Sequence, residues 1–452
     1  VRRDGSSKFS TLNQFAYFPA VTAAWRLSEE NFMKDVTWIR DLKIRAGWGI
    51  MGNQFNLSAT NQFYTYVPNL SSSYYDIAGT NNSTQSGFQT GQIGNPSAKW
   101  EKNINSNIGI DATLFNGAID FTIDYYQKDI QDLLFNPTLP GTQGTGTVPF
   151  ANVAQVKNHG LDLQLNYHTN ITRDLKFNGT ATLTTFTNTI TKVTETSNFF
   201  YSGGQRRFGV NFIRNEVGHP IGSFYGYKIV GFWNDASEIT KANAGAQGGV
   251  YQTAAGVGRF RYADVNGDGR ITDADRTFLG NPNPKFTYGV NLGLNYKAFD
   301  FSMFLYGSQG NQIWNNVLYW TDFYPSFAGA KSKTALYNSW TPTNQNAKAP
   351  IQENAGTFST NNTPNSYYIE NGSFLRAKNV MLGYTLPKSG LGRLGMESLR
   401  VYVQAANLFT ITKYSGLDPE INGSNNSVTE FGIDEGSYPS QRQYIIGLNV
   451  RF

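Results

Sequence analysis

The feature that most constrains this chain is a strict two-residue alternation. Across 286–296, Phe286, Tyr288, Val290, Leu292, Leu294 and Tyr296 alternate with Thr287, Gly289, Asn291, Gly293 and Asn295. The last stretch repeats it: Tyr444, Ile446, Leu448, Val450 and Phe452 are separated by Ile445, Gly447, Asn449 and Arg451. The same period recurs over 119–125, 161–167 and 399–405. Successive side chains of a strand leave opposite faces, so each segment is read as a strand with one apolar and one polar face.

A soluble sandwich would show that alternation too. Length argues against one: these segments run about 10–16 residues, where globular strands average about 5–6 and membrane strands need about 9–11. Aromatic residues sit toward segment ends, as in the interfacial girdles of outer-membrane barrels, and the polar faces carry Gly, Asn, Gln and Thr, which suit a wet lumen. Connections alternate in length. Those at 27–37, 116–117, 172–174, 297–300 and 387–397 are short, while 52–98, 132–150, 190–283, 312–370 and 413–440 are long. Short turns on one side and long loops on the other describe a transmembrane antiparallel β-barrel, an all-β fold.

Spanning strands are expected near 13–27, 36–51, 100–114, 117–131, 153–169, 174–189, 285–297, 299–311, 372–386, 398–412 and 441–452, eleven in all. Counting 221–233 as a twelfth would put every later short turn on the long-loop side. That segment is therefore assigned to the 190–283 excursion. Single-chain bacterial barrels usually have an even number of strands, and the first residues, VRRDGSSKF, show no signal-peptide pattern. Both point to further strands upstream, with residues 1–452 as one late barrel segment.

Composition closes other routes. The chain has no Cys, which excludes a disulfide scaffold, CxxC zinc sites and thiol catalysis. Aromatic and charged residues each make up 15%, against about a quarter charged in an average soluble domain. The net charge of +5 is dispersed, with paired arginines only at Arg2–Arg3 and Arg206–Arg207, so no nucleic-acid surface is expected. Mean hydropathy is −0.40, and no run of about 18 apolar residues marks a helical span. His159, His168 and His219 are scattered and no HExxH, GxSxG or P-loop occurs, so the chain is not read as an enzyme.

The sharpest local motif is DVNGDGRITDAD, residues 264–275. Asp264, Asn266 and Asp268 hold positions 1, 3 and 5 of a calcium loop, Gly269 holds position 6 and Asp275 position 12. The Arg270 carbonyl and the Thr272 side chain, or a water there, would complete the shell. Ca²⁺ is the expected ion, with Mg²⁺ the alternative. Asp275 is one methylene shorter than the usual Glu, and a loop of Asx turns without an ion is the plainer reading. A second candidate is aromatic clustering in the long loops: Tyr74 and Tyr75; Phe199, Phe200 and Tyr201; Trp314, Tyr319, Trp320, Phe323 and Tyr324. Such rings could stack on cargo or a partner, or simply pack the loops.

Taken in order, the stretches LKIRAGWGIMGNQ, NPSAKWEKN, IDYYQKDIQDLL, NHGLDLQLNY, PIGSFYGY, DVNGDGRITDADRTFLGNPNPKFTYGVNLGLNY, NGSFLRAKNVMLGYTLP, LRVYVQAANLFTITKYSGLDPE and YPSQRQYIIGLNVRF resemble the C-terminal part of SusC/RagA-type TonB-dependent outer-membrane transporters of Bacteroidetes. The resemblance covers nearly the whole chain. It implies a 22-stranded barrel of which these residues supply the last eleven strands, with the plug and the TonB-contacting segment upstream. It also implies active import of oligosaccharides or peptides. The implied partners are a SusD-like surface lipoprotein acting as a lid, TonB, and the lipid and lipopolysaccharide of the outer membrane, with transporter–lid pairs able to dimerise. Phe452 resembles the terminal aromatic that barrel-assembly machinery recognises. A passive porin-like channel and a surface glycan-binding adhesin are the alternatives.

Overall fold

Alternation becomes pairing in the computed structural model, which describes residues 1–55, 57–68, 74–76, 79, 84–136, 146–193, 197–202, 207–387, 395–421 and 429–452. Eleven strands form one continuous sheet: β1 Ala20–Arg26, β2 Ile39–Asn53, β3 Glu101–Leu114, β4 Ile119–Phe135, β5 Ala151–Asn170, β6 Leu175–Lys192, β7 Phe286–Tyr296, β8 Phe299–Gln309, β9 Phe374–Thr385, β10 Ser398–Ala406 and β11 Gln443–Arg451. Each pairs antiparallel with its chain neighbour, and β1 and β11 are the two open edges. The short connections all lie at one end and the long ones at the other. No helix among the described residues is long and apolar enough to cross a membrane.

Two expected strands are broken, for local reasons. In 13–27, Phe15–Phe18 pairs with Arg2–Gly5, and pairing with β2 begins only at Ala20. Pro19, which has no N–H for a ladder, separates the two pieces. In 398–412, β10 stops at Ala406 because Asn407 turns to φ 51°, and Thr410–Thr412 resumes against the start of β9. The segment 221–233 stays out of the large sheet: Phe224–Tyr227 and Ile229–Phe232 belong to separate small sheets.

The apolar face of the large sheet is exposed. Ile108, Leu161, Leu165, Leu382, Val403 and Leu448 all lie open, which a protein in water would not tolerate over so large an area. Near the short-turn end this face carries exposed Trp25, Trp38, Phe115, Tyr167, Tyr296, Phe299 and Tyr384. Neighbours in this belt touch: Trp38 and Phe115 stack at 5.9 Å, and Phe299 meets Tyr384 at 4.7 Å. Phe286 and Tyr288 on β7, and Tyr444 on β11, hold the other end of the face. An apolar band bounded by two aromatic belts is the surface a bilayer demands.

Across several hairpins a tyrosine lies directly opposite a glycine: Tyr126 faces Gly160, Tyr288 faces Gly307 and Tyr402 faces Gly447. At Gly307 and Gly447 a Cβ would overlap the facing ring. At Gly160 it would strike both the Tyr126 hydroxyl and the Thr185 carbonyl that this hydroxyl donates to at 3.1 Å. Glycine is needed here for close approach.

The largest buried core lies outside the sheet, in the long connections. Phe208, Phe212, Ile213, Phe224, Tyr227, Phe260, Tyr262 and Ile271 from the 193–285 connection pack with Trp314, Phe323 and Tyr368 from 310–373 and Ile433 from 407–442. Small sheets frame it. One runs Phe199–Ser202, Ile213–Glu216, Phe224–Tyr227, Arg276–Gly280. Another places Gln312–Asn315 between Ile369–Asn371 and Ile433–Asp434. Helix α1, Ala236–Gly245, is capped by Asp235, whose carboxylate accepts the N–H groups of Ser237 and Glu238. Three connections far apart in sequence therefore make one packed module.

Candidate functional site

The acidic loop 264–275 links two strands of this module, Phe260–Tyr262 and Arg276–Gly280. Its backbone is folded by its own side chains. Gly267 and Gly269 donate their N–H groups to Oδ1 and Oδ2 of Asp264 at 2.7 and 2.8 Å. Both glycines have positive φ, 75° and 80°, which suits residues without a Cβ. The Asp268 N–H donates to Asn266 Oδ1 at 3.0 Å, and the Arg270 N–H to Asp268 Oδ1 at 2.9 Å. Asp275 is fully buried and accepts from Val265, Asn266 and Thr272 backbone N–H groups. Asp264, Asp268 and Asp275 bring carboxylate oxygens within 4.8 Å of one another. No Lys or Arg forms an ion pair with any of the three among the described residues.

This is an oxygen-rich cluster of a kind that hard divalent cations use. Two expected ligands behave differently from the rest. Thr272 accepts the Ala274 N–H on its hydroxyl, capping the short helix Asp273–Asp275, and donates that hydroxyl to Asp275 Oδ2 at 3.4 Å. Asn266 donates its amide Nδ2 to Asp268 Oδ2, so its ligand atom would be Oδ1. The loop is anchored to the core by Asp273, which accepts the Tyr227 hydroxyl at 2.9 Å. Burial and this carboxylate push the Tyr227 phenol well above its ordinary pKa.

The aromatic candidates divide by burial. Trp314 and Phe323 are buried at the centre of the module, so they pack and cannot touch a ligand directly. Phe200 packs on Phe135 at 4.9 Å, which ties the module to the top of β4. Phe199 and Tyr201 lie against Arg214, whose guanidinium sits 3.9 Å from the Phe199 ring and pairs with Glu216. Trp320 and Tyr319 receive Arg207, which also pairs with Glu435. Tyr324 is exposed, as are Phe327, Leu336 and Tyr337 further along the same loop. Tyr74 and Tyr75 form a short strand with Thr84–Ser86, and the placement of their side chains lies outside what is described.

Sequence reasoning missed the arginines. Arg376, 3% exposed, reaches from β9 to Asp418 and Glu420, with Thr410 and Ser440 completing its hydrogen bonds. On the polar face Arg45 bridges Asp111 and Asp124, and Arg400 pairs with Asp300. A lone Arg in a strand carries no sequence signal that it will be buried or paired. The three histidines do not come together: His219 stacks on Phe278, and His168 lines a separate cleft at the short-turn end.

Comparison with known proteins gives a consistent set of likenesses. A family model described as TonB dependent receptor-like, beta-barrel, matches residues 1–408. TonB-dependent receptor P3 of Formosa agariphila is 33% identical over all of this chain and 43% of its own length. TonB-dependent receptor SusC of Bacteroides thetaiotaomicron is 30% identical over all of this chain and 42% of its own length. The solved structure of the RagAB peptide transporter superposes with a TM-score of 0.79 at 25% identity, covering 99% of this chain and 44% of that one. The chain thus spans less than half the length of the curated relatives it matches.

Proposed function

This chain belongs to the TonB-dependent receptor-like β-barrel family, and on that premise we propose that it is a stretch of a SusC/RagA-type outer-membrane barrel that imports oligomeric nutrients, glycan or peptide, by TonB-dependent transport. The family is one of receptors and transporters, not enzymes. The observation that carries the proposal is the pairing of an eleven-strand sheet, apolar on one face and polar on the other, with long connections packed into a module at one end. In this reading the apolar face meets lipid, the polar face with its Arg45–Asp111–Asp124 and Arg400–Asp300 pairs lines the lumen, and the module faces the cell exterior. A SusD-like lipoprotein would dock on the module, where Tyr324, Phe327, Leu336 and Tyr337 leave apolar surface open. The likeness to a peptide transporter favours peptides among the candidate cargoes. Uptake of labelled peptide and glycan oligomers should be measured in cells with and without the gene and with and without TonB. Uptake that persists without TonB would reject active import.

We also propose that loop 264–275 holds Ca²⁺, or Mg²⁺ more weakly, through Asp264, Asn266, Asp268, the Arg270 carbonyl and Asp275. Three convergent carboxylates without a cationic partner among the described residues support this, one of them fully buried. A bound cation would offset their mutual repulsion and stiffen the loop against the Tyr227 anchor. Calorimetric titration of the folded protein should show binding at about millimolar affinity or tighter, lost in Asp264→Ala. Flat heats for the unsubstituted protein would reject the site.

A further inference from the structure

The last long connection does not simply rise from the rim of the sheet. Thr410–Thr412 runs antiparallel to Phe374–Arg376 at the start of β9, and the segment 413–420 then doubles back along the wall. Register shows which side of the wall it takes. Arg376 lies opposite Tyr306, and Tyr306 alternates onto the same face of β8 as Asp300, whose partner is Arg400 on the polar face. The Lys378 ammonium sits 5.7 Å from the Tyr306 ring centroid, on that face too. The carboxylates of Asp418 and Glu420 reach both cations, so the segment crosses the polar face. Lys378 is four residues into β9 from Phe374, about 14 Å along the strand. The contact therefore lies below the rim.

Four charged groups make this contact. The Arg376 guanidinium donates to Asp418 Oδ1 at 2.5 Å and to Glu420 Oε2 at 2.8 Å, and the Lys378 ammonium donates to both Glu420 oxygens at 2.7 and 2.5 Å. Ser440, on the returning leg of the same connection, donates its N–H to Asp418 Oδ2 at 2.9 Å, so one carboxylate holds both legs. Pro419 is buried between the two acids, and its fixed φ sets the angle at which they leave the backbone. Buried ion pairs add little stability over apolar packing, but they specify one geometry. Beside them Leu417 stands 73% exposed. We propose that 413–420 is a strap folded into the mouth of the lumen, latched to its wall by Arg376 and Lys378, and that it limits the cross-section of what can pass: extended oligomers slip by Leu417 and bulky ones are held back. This rests on the reading of the polar face as lumen. Arg376 and Lys378 are positioning residues, acting through the strap.

Residues 1–452 contain no Cys, so single cysteines report cleanly once any cysteine elsewhere in the complete protein is replaced by serine. Leu417→Cys and, on the exposed side of α1, Ala244→Cys should be reacted with N-ethylmaleimide and with a polyethylene-glycol maleimide, in the complete protein purified in detergent without partners. Both sites should take the small reagent at similar rates. The polymer should label Leu417→Cys about tenfold or more slowly than Ala244→Cys, since it must wait for the strap to open. Asp418→Asn with Glu420→Gln removes the latch charges from the loop and should bring the two polymer rates within about threefold. Lys378→Arg keeps the latch and should leave the ratio unchanged. Heat-modifiable migration on gels checks assembly of the sheet. Should the double variant fail to assemble, Lys378→Gln weakens the same latch and should move the ratio in the same direction. The proposal is overturned if the polymer labels both sites alike in the latched protein, or if loss of the latch leaves Leu417→Cys as protected as before. Labelling is read on purified protein, so these outcomes are separate from success or failure of TonB-dependent uptake.

Discussion

Replacing Trp314 by alanine should open the loop module while leaving the large sheet intact. Trp314 is fully buried, with ring centroids of Phe212 at 4.5 Å, Tyr368 at 5.3 Å, and Phe208 and Phe224 each at 5.8 Å. A tryptophan buries about 150–250 Å². At about 25 cal/mol per Å² that is roughly 4–6 kcal/mol, and truncation of a core aromatic to alanine costs about 3–5 kcal/mol. The indole supplies an internal control, because its Nε1–H has no hydrogen-bond partner among the described residues. An orphaned buried donor costs about 1–3 kcal/mol. Trp314→Phe removes that donor along with part of the ring, so the two changes oppose and the net effect should stay within about 1 kcal/mol. Native-state hydrogen exchange read by mass spectrometry on the complete protein is the assay. Peptides from Ile213–Glu216 and Ile369–Asn371 should exchange about 10²–10⁴ times faster in Trp314→Ala, at about 1.4 kcal/mol per decade. Peptides from β3, β4 and β5 should be unchanged, and Trp314→Phe should resemble wild type. Parallel loss of protection in the strands would refute the reasoning, since module and sheet would then be one cooperative unit.

Other outcomes follow from the same structure. Gly447→Leu, which drives a side chain into the Tyr402 ring, should lower the fraction of heat-modifiable, assembled protein, and the double variant with Tyr402→Ser should recover part of it; equal yields in both variants would count against the pairing. Arg376→Met leaves Asp418 without its cation, while Glu420 keeps Lys378, and should cost about 3–5 kcal/mol in module stability, measured by exchange in 414–421. Burial alone would raise the Asp418 pKa, but its bonds from Arg376, Glu420 and Ser440 outweigh it and hold the carboxyl below its ordinary range. Its stabilising effect is therefore present above the ordinary carboxylate range and lost as pH falls through the lowered value. In Arg376→Met the acid-induced opening should move to higher pH. Burial raises the phenols of Tyr227, Tyr262, Tyr367, Tyr368 and Tyr414. Stability from keeping them protonated holds below about pH 10 and is lost above it. Tyrosinate absorbance should then rise in step with module unfolding, and a smooth non-cooperative titration would contradict this.

The sheet was largely legible because a two-residue period reports facing directly: every one of β1 to β11 falls on a segment read from alternation. Breaks at Pro19 and Asn407 were less visible. A proline near a strand end and an asparagine in a positive-φ corner change pairing without disturbing hydrophobic pattern. The acidic loop was legible down to its convergent carboxylates, because the spacing of its acidic residues is local. The module was not. Its core joins Phe212, Trp314 and Ile433 from three connections, and no periodicity within any one of them announces the other two. Trp314 and Phe323 consequently read as loop aromatics that could face cargo, whereas their partners lie more than forty residues away.

The aromatic belts on the lipid face act as an address. On β7 the rings of Phe286 and Tyr296 stand ten residues apart, about 34 Å along the strand at 3.4 Å per residue. At the usual barrel tilt of about 45° this projects to roughly 24 Å. That span fits the thin bilayer of the outer membrane and falls short of the roughly 30 Å hydrocarbon core of an average bilayer. Placed in the thicker membrane, the strands would have to stand more upright against their own hydrogen-bond register, or compress the surrounding lipid, at a fraction of a kcal/mol for each ångström of mismatch. Multiplied around the circumference, that penalty favours one compartment over the other without any receptor reading a signal.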